Sequence, residues 1–304
     1  MKTNLKIFDE IIKNLDNINS LSFESYKNYS LKFPVNYESG NPYNGVNAFN
    51  LLFFSLANGF DLEYFLTINQ LKNIGNADFK GQKTTAIKFF KDYYQDLRDK
   101  KNKISKLEFL ELSEFEKNNF EYKVIINHSN VLNLQQLNNL EDLNFTFNSE
   151  ESRRNKNLEL IEKAEIFISD LKENKGLELY STKVNNAKYS ITKDRIIVPL
   201  YDDFKNESHY YNTFFHELIH WSGSEKRLNR FHKNGGNNFN YNFEEFIAEI
   251  GSILLMIHFK VESNIYNSIA YIKMYLKNYK EEDKVNVLRD AFKEAEKAVD
   301  FLTK

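Results

Sequence analysis

Apolar residues recur at helical spacing over Leu5, Phe8, Ile11, Ile12 and Leu15, which predicts an amphipathic helix within roughly the first 30 residues. A loop dense in Pro, Gly and Asn follows, "FPVNYESGNPYNG", and then an apolar helix beginning near Val46. "EYFLTINQLKNIG" reads as a short strand and a helix. "TTAIKFFKDYY" and "NFEYKVIINHSNVLNL" alternate as strands do, with a charged insertion, "DLRDKKNKISKLEFLELSEFEKNN", between them. The stretch "NFTFNSEESRRNKN" is polar and without pattern, and predicts a domain boundary near residue 150. Beyond it come a helix from Leu158 to Lys172 and strands in "GLELYSTKVNNAKYSITKDRIIVPLYDDF". The helix of "YYNTFFHELIHWSG", the helix of "NFEEFIAEIGSILLMIHF" and two C-terminal helices complete the chain. A few strands followed by a helical region imply an α+β fold with two domains, 1–148 and 157–304, expected to fold separately.

Composition narrows the chemistry. The 304 residues are 41% hydrophobic and 28% charged, with a formal net charge of -2, so any nucleic-acid surface must be local. There are no cysteines, so a metal here must use His and carboxylate ligands. The first residues carry Asp and Glu where a signal peptide needs an apolar core, and no run approaches the ~18 apolar residues of a membrane span. The expectation is a soluble cytoplasmic protein with no membrane partner.

His216 and His220 stand one helical turn apart on one face, the bite that a single ion needs. Glu217 sits beside that face, where it can reach a metal-bound water as general base. Phe214, Phe215, Leu218 and Ile219 form the opposite, core-facing arc. A catalytic zinc takes three protein ligands, and "NFEEFIAEIGS" offers Glu244, Glu245 and Glu249 for the third. Phe243, Phe246, Ile247 and Ile250 mark the buried side of that helix. Glu245 and Glu249 share the other side, with Glu244 rotated about 100° from Glu245. Glu245 is therefore assigned to the metal, and Glu249 to the second N–H of a ligating histidine. Tyr241, His232 and Arg227 are candidates, by position in the chain, for stabilising a tetrahedral intermediate. "DRIIVPLY" reads as an edge strand that could pair with an extended substrate; Pro199, unable to donate to a ladder, marks an edge or an irregular strand end.

The pattern "HELIH" followed by "EEFIAE" resembles the gluzincin arrangement of thermolysin-like peptidases. The longer run "DRIIVPLYDDF…YYNTFFHELIHWSGSEKRLNRF…YNFEEFIAEIGS" is similar to the zincin-like domain of ArdC-type antirestriction proteins. "FPVNYESGNPYNGVNAFNLLF", "YFLTINQLKNIG", "FKGQKTTAIKFF" and "YKVIINHSNV" resemble, in order, landmarks of that family's N-terminal domain. Phe65 and Tyr275 stand where the family pattern has Trp, and the insertion near residues 95–120 is longer than the pattern. The resemblance implies an N-terminal α+β domain that binds single-stranded DNA, joined to a gluzincin domain with a small sheet and mostly helices.

From Lys72 to Lys106 there are ten Lys or Arg against four Asp, interleaved with Phe89, Phe90, Tyr93 and Tyr94. Sequence-tolerant single-strand binding uses such a basic track with aromatic platforms. Lys80, Lys83, Lys88 and Lys91 are its candidate phosphate contacts, and Tyr43 is a further contact in the Gly-rich loop. Alternating aromatics also suit a sheet core, so both readings stand. The sequence thus points to an antirestriction protein of a mobile element with one zinc, or another divalent ion, per chain and single-stranded DNA as partner. A host protein or peptide is the candidate substrate. The alternative is a regulatory or effector metallopeptidase whose N-terminal half recognises protein. An intact Glu217 argues against a purely structural ion, which has no need of a base.

Overall fold

The computed structural model describes residues 5–18, 32–147, 150–233, 240–261 and 265–304, with backbone alone for 150–161 and 232–233. The N-terminal half is built on a five-stranded sheet of order β1-β2-β5-β3-β4. Its strands are β1 (Val35–Asn36), β2 (Tyr64–Thr67), β3 (Thr85–Asp96), β4 (Lys103–Ile104) and β5 (Phe120–Asn133). β3 and β5 pair antiparallel from Thr85↔Val131 out to Asp96↔Phe120. Only the first residues of β3 and the last of β5 are covered by the body, so the rest projects as a two-stranded ribbon with partly exposed side chains on both faces.

Helix α1 (Lys6–Asn17) buries Ile7, Phe8, Ile11, Ile12 and Leu15, the stripe its periodicity predicts. Residues 19–31, where the sequence pattern extends the helix, lie outside the described residues. Helix α2 (Gly45–Asn58) is apolar nearly all round because it lies between two cores. Leu51 and Phe54 meet the sheet at Phe65, Ile87 and Val131, while Phe49, Leu52, Phe53 and Leu56 face the helices of the other half. It stops at Gly59, whose φ of 69° suits glycine without the strain a side chain would meet. Short helix α3 (Ile68–Asn73) is started by a capping box between Thr67 and Gln70.

The outer edge of β3 is occupied near the body by side chains. Glu10 accepts from the Ala86 N–H at 2.8 Å, and Asn50 donates to the Ala86 carbonyl at 2.9 Å. Asn47 both accepts from the Lys88 N–H at 2.8 Å and donates to the Lys88 carbonyl at 2.6 Å. Two helices thus supply the partners a neighbouring strand would otherwise give.

At the ribbon tip the charged insertion forms β4 and two short helices, α4 (Lys106–Glu111) and α5 (Glu114–Lys117), each started by a Ser-x-x-Glu capping box. The polar stretch expected to be an irregular linker is instead largely helical. Helix α6 spans Glu150–Asn174, because Glu, Arg, Lys and Leu there are good helix formers and nothing breaks the run.

The second half has a three-stranded sheet of order β6-β8-β7, from β6 (Glu178–Ser181), β7 (Lys188–Ser190) and β8 (Arg195–Val198). β8 was expected at the edge and lies in the middle, parallel to β6 and antiparallel to β7. Pro199 falls one residue beyond its end, so the missing N–H disturbs no ladder. The edge strands are β6 and β7, and β7 is the one that borders the cleft described below. Helices α7 (Glu207–Ser222), α8 (Arg230–Lys233), α9 (Tyr241–Phe259), α10 (Tyr266–Leu276) and α11 (Glu281–Thr303) follow. α9 is central and packs on α7, α10 and α11. At Gly251 an added Cβ would meet Ile219 side-chain carbons at 2.7 Å, so glycine lets α9 approach α7 closely.

One hydrophobic core runs through both halves. Phe292 of α11 meets Phe8 at 5.5 Å and Phe49 at 5.4 Å, both edge to face. The same cluster continues through Phe53, Trp221, Phe246 and Leu254. Separate folding of 1–148 and 157–304, the sequence-based expectation, would require each half to expose this shared surface.

Candidate metal centre

Helix α7 starts where the Asn206 side chain accepts from the His209 N–H at 2.9 Å. From that start, Phe214, Phe215, Leu218 and Ile219 point into the core, which fixes the rotation of the helix. His216, Glu217 and His220 are thereby turned toward a cleft of ≈ 300 Å³ whose walls include Tyr189, Tyr241 and Glu245. α9 enters with Asn240 as its cap and presents Glu244, Glu245 and Glu249 to the two histidines.

The convergence is tight. His216 Nε2 and His220 Nε2 lie 3.2 Å apart, and each lies 3.3 Å from an oxygen of Glu245. A tetrahedral ion with ligand bonds of about 2.0–2.1 Å requires ligand atoms separated by about 3.3 Å, so the donor set fits a divalent metal. The backs of the rings are also engaged: His216 Nδ1 faces Glu249 at 3.6 Å and His220 Nδ1 faces Glu244 at 3.5 Å. Directing Nδ1–H to a carboxylate leaves the Nε2 lone pair aimed at the centre.

Charge at the site follows from this packing. Burial disfavours the imidazolium of His220. The hydrogen bonds to Glu244 and Glu245, with the charges of Glu244 and Glu217, outweigh that and raise its pKa to about 9. Burial likewise works against the Glu245 carboxylate, yet hydrogen bonds from His216, His220 and Tyr241 hold its pKa well below the usual range. Four acidic groups, Glu217, Glu244, Glu245 and Glu249, around two imidazoles make a place that favours positive charge.

Glu217 is buried and accepts the Tyr189 backbone N–H at 2.6 Å, so the edge strand β7 holds one of its oxygens. Tyr189 is in turn fixed through its hydroxyl, which donates to Asp194 at 2.8 Å. Arg227 spans Asp194, the Trp221 carbonyl and the Trp221 ring, 3.9 Å from its centroid. Arg227 is therefore committed to the β7–β8 turn and is not free to meet a reacting oxygen. Tyr241 lines the cleft and hydrogen-bonds Glu245, which with burial raises its own pKa. The side chain of His232 lies outside the described residues. Sequence reading placed Glu244 away from the histidines; the structure buries it against His220, because Arg230 supplies the countercharge that an acid there needs. The signal for it was "KRLNRF", an arginine close after the motif.

The candidate nucleic-acid residues fall in three places. Lys80 and Lys83 lie in the exposed loop before β3. Lys91 shares a ribbon face with Phe89, Tyr93, Ile125 and Lys123, whereas Lys88 lies on the opposite face with Phe90, His128 and Ile126. The single basic track of the sequence reading is thus split by strand alternation. Phe89 and Phe90 are 42% and 65% exposed, so these aromatics are not sheet core. The Lys103 ammonium sits over the Tyr93 ring at 4.8 Å. Tyr43 is a different case. Its ring packs edge-on against Phe65 and its hydroxyl accepts from Asn36, so it is held in the body of the protein.

Residues 163–293 match the family model of the zincin-like metallopeptidase MPTase-PolyVal, and residues 1–125 match that of the N-terminal domain of anti-restriction factor ArdC. Two Escherichia coli proteins named DNA primase TraC are 26% and 24% identical to this chain, each over 88% of it. The chain spans only 24% and 17% of the length of those relatives. Crystal structures of antirestriction ArdC protein from plasmid R388 align with 96% of the chain. The metal-free form gives a TM-score of 0.57 at 24% identity over 95% of that chain, and the Mn(II)-bound form 0.55 at 25% over 96%. No helix among the described residues is long and apolar enough to cross a membrane.

Proposed function

We infer the function from one premise: the chain belongs to the ArdC-type antirestriction family, with an ArdC N-terminal domain followed by a zincin-like metallopeptidase domain. On our reading it is an antirestriction protein of a mobile element, acting in the cytoplasm, that binds single-stranded DNA through its N-terminal half and hydrolyses peptide bonds at a zinc site. The observation that carries the second part is the convergence of His216 Nε2 and His220 Nε2, 3.2 Å apart, on the Glu245 carboxylate, whose Oε2 lies 3.3 Å from the first and whose Oε1 lies 3.3 Å from the second. We assign those three residues as ligands of one Zn(II), with Mn(II) as the alternative ion.

A divalent ion there would polarise a peptide carbonyl and acidify a water, the two services such a site supplies. Glu217 then takes the water's proton as the water adds to the carbonyl carbon, and returns it to the departing amine nitrogen. The Tyr189 N–H keeps the Glu217 carboxylate in one orientation during both transfers. Tyr241, which lines the cleft, is our candidate for donating toward the oxygen that becomes anionic, in exchange for its hydrogen bond to Glu245. Edge strand β7 borders the cleft and offers its backbone to an extended peptide.

For DNA, the supporting feature is the ribbon face with Phe89, Lys91, Tyr93 and Lys123, where rings and ammonium groups alternate. Each stacked base would contribute about 1–3 kcal/mol and each phosphate a salt-sensitive contact. A second reading, a metallopeptidase whose N-terminal half recognises protein, is favoured by the ribbon tip, where Leu107 and Phe115 are 75% and 83% exposed. Titration of the full chain with oligonucleotides at several salt concentrations decides between them. A salt slope of several units with preference for single strands supports DNA; a slope near zero supports protein recognition.

A further inference from the structure

We propose that Arg230, acting through Glu244, is a positioning residue that fixes the ring of His220 for metal binding, an inference that rests on the metal-site reading above. Arg230 and Glu244 are 1% and 2% exposed, among the most buried charged side chains described. Their contact is two-pronged: Arg230 Nε donates to Glu244 Oε2 at 3.0 Å and Nη2 donates to Oε1 at 2.6 Å. The rest of the guanidinium is tied to α7, where Nη1 donates to Ser222 Oγ at 3.0 Å and Nη2 to the Ile219 carbonyl at 2.6 Å. Gly223 leaves room for the arrangement, since a Cβ there would lie 2.7 Å from Arg230 Nη2 and 3.1 Å from Glu244 Oε1.

The same Glu244 Oε1 lies 3.5 Å from His220 Nδ1, while the next residue, Glu245, meets Nε2 from the other side at 3.3 Å. Consecutive glutamates on α9 therefore hold the two ends of one imidazole. His216 has a looser partner, because Glu249 faces its Nδ1 at 3.6 Å and no described cation pairs with Glu249.

Stability alone gives a poor account of this group. A buried ion pair is often replaceable by apolar side chains of similar size with little loss, since desolvation offsets most of the attraction. What apolar side chains cannot do is accept the Nδ1–H and keep Nε2 as the free lone pair. Without Arg230, Glu244 would lose the two-pronged contact that aims its carboxylate at His220 Nδ1. The arginine thus keeps the acceptor in place.

The test uses the full chain and Zn(II), competed against a chromophoric chelator, with thermal melting as a control for folding. R230M/E244M removes the pair without leaving a lone charge, and R230M/E244Q restores an uncharged acceptor at position 244. Positioning predicts that both variants fold, that R230M/E244M binds Zn(II) about 10–100-fold more weakly than wild type, and that R230M/E244Q recovers part of that loss. Equal affinity for R230M/E244M and wild type, or for the two variants with one another, overturns the proposal. Should the double variants not fold, Gly223→Ala crowds Arg230 from one side and must lower Zn(II) affinity several-fold; unchanged affinity again overturns it. Wild type that takes up no Zn(II) or Mn(II) would sink the metal reading itself, an outcome visible before any variant is made.

Discussion

Replacing Phe292 with Ala should loosen both halves of the protein at once. The ring lies on α11, is 1% exposed, and touches Phe8 and Phe49 edge to face at 5.5 and 5.4 Å. Truncating a buried Phe costs about 3–5 kcal/mol, the upper end applying where neighbours cannot collapse. Here the two rings that flank it come from two different helices of the N-terminal half, so we take about 4 kcal/mol. With a urea m-value of about 3 kcal/mol per molar, the unfolding midpoint should fall by about 1.3 M. The informative assay is hydrogen exchange read by peptide, comparing 46–56 of α2 with 246–257 of α9. A shared core requires both segments to lose protection together and by similar factors. If α2 keeps its wild-type protection while α9 loses it, the halves are independent and the reasoning fails. By the same logic, fragment 1–148 should be unfolded or aggregated, because alone it exposes Ile7, Phe8, Phe49 and Phe53.

Glu217→Gln should keep stoichiometric Zn(II) in native mass spectrometry and lose any peptide hydrolysis by at least 10²-fold, since a general base contributes about 10²–10⁴. Retained hydrolysis would remove Glu217 from its role. Gly251→Ala should destabilise by about 1–3 kcal/mol through the clash with Ile219, and Ile219→Val should recover part of it; an unchanged melting temperature would contradict the close approach. The Asp194 pKa is lowered: burial alone would raise it, but hydrogen bonds from Arg227 and Tyr189 outweigh that. Its contribution to stability is therefore present above the unfolded carboxyl pKa of about 3.9 and lost as pH falls through the lower folded value. Asp194→Asn, which tolerates the φ of 49°, should flatten that acid-side loss, measured as melting temperature from pH 6 down to pH 2. Lys91→Glu with Lys123→Glu should weaken single-stranded DNA of every sequence alike and reduce the salt slope, whereas unaltered affinity would move the DNA contact off this ribbon face.

Much of the architecture was legible because local signals agreed with tertiary demand. The stripe of α1, the apolar run of α2 and the alternation in β3 and β5 all appear as read, and His216, His220 and Glu245 converge as the one-turn spacing requires. The misreadings have particular causes. β8 carries a proline next to it, and a single proline marks the end of a strand as readily as its edge. Glu244, about 100° round the helix from Glu245, was passed over because helical rotation says nothing about an arginine arriving from another segment. The polar stretch before Leu158 lacked an apolar stripe, yet high helix propensity continued α6 back to Glu150. The aromatics of β3 fit a core by pattern, and no sequence cue indicates that β3 and β5 outrun the body that could cover them.

The side chains of Glu10, Asn47 and Asn50 have a bearing on how this sheet meets other chains. By holding the Ala86 and Lys88 backbone groups, they behave as a short strand that never leaves, and they close that stretch of edge to any foreign strand. Open sheet edges invite growth by strand addition, the usual route to clumping, and they are safest where they are short. Here the sealed stretch ends at Lys88, and β4 takes up the edge again at Tyr94. The intervening window centres on Phe90 and Asp92, both exposed, and the Asp92 charge would be awkward for any strand added alongside it. Loss of the Asn47 and Glu10 side chains would lengthen that window back to Ala86, so the double substitution should show itself first in shelf life, as a solution that slowly turns cloudy.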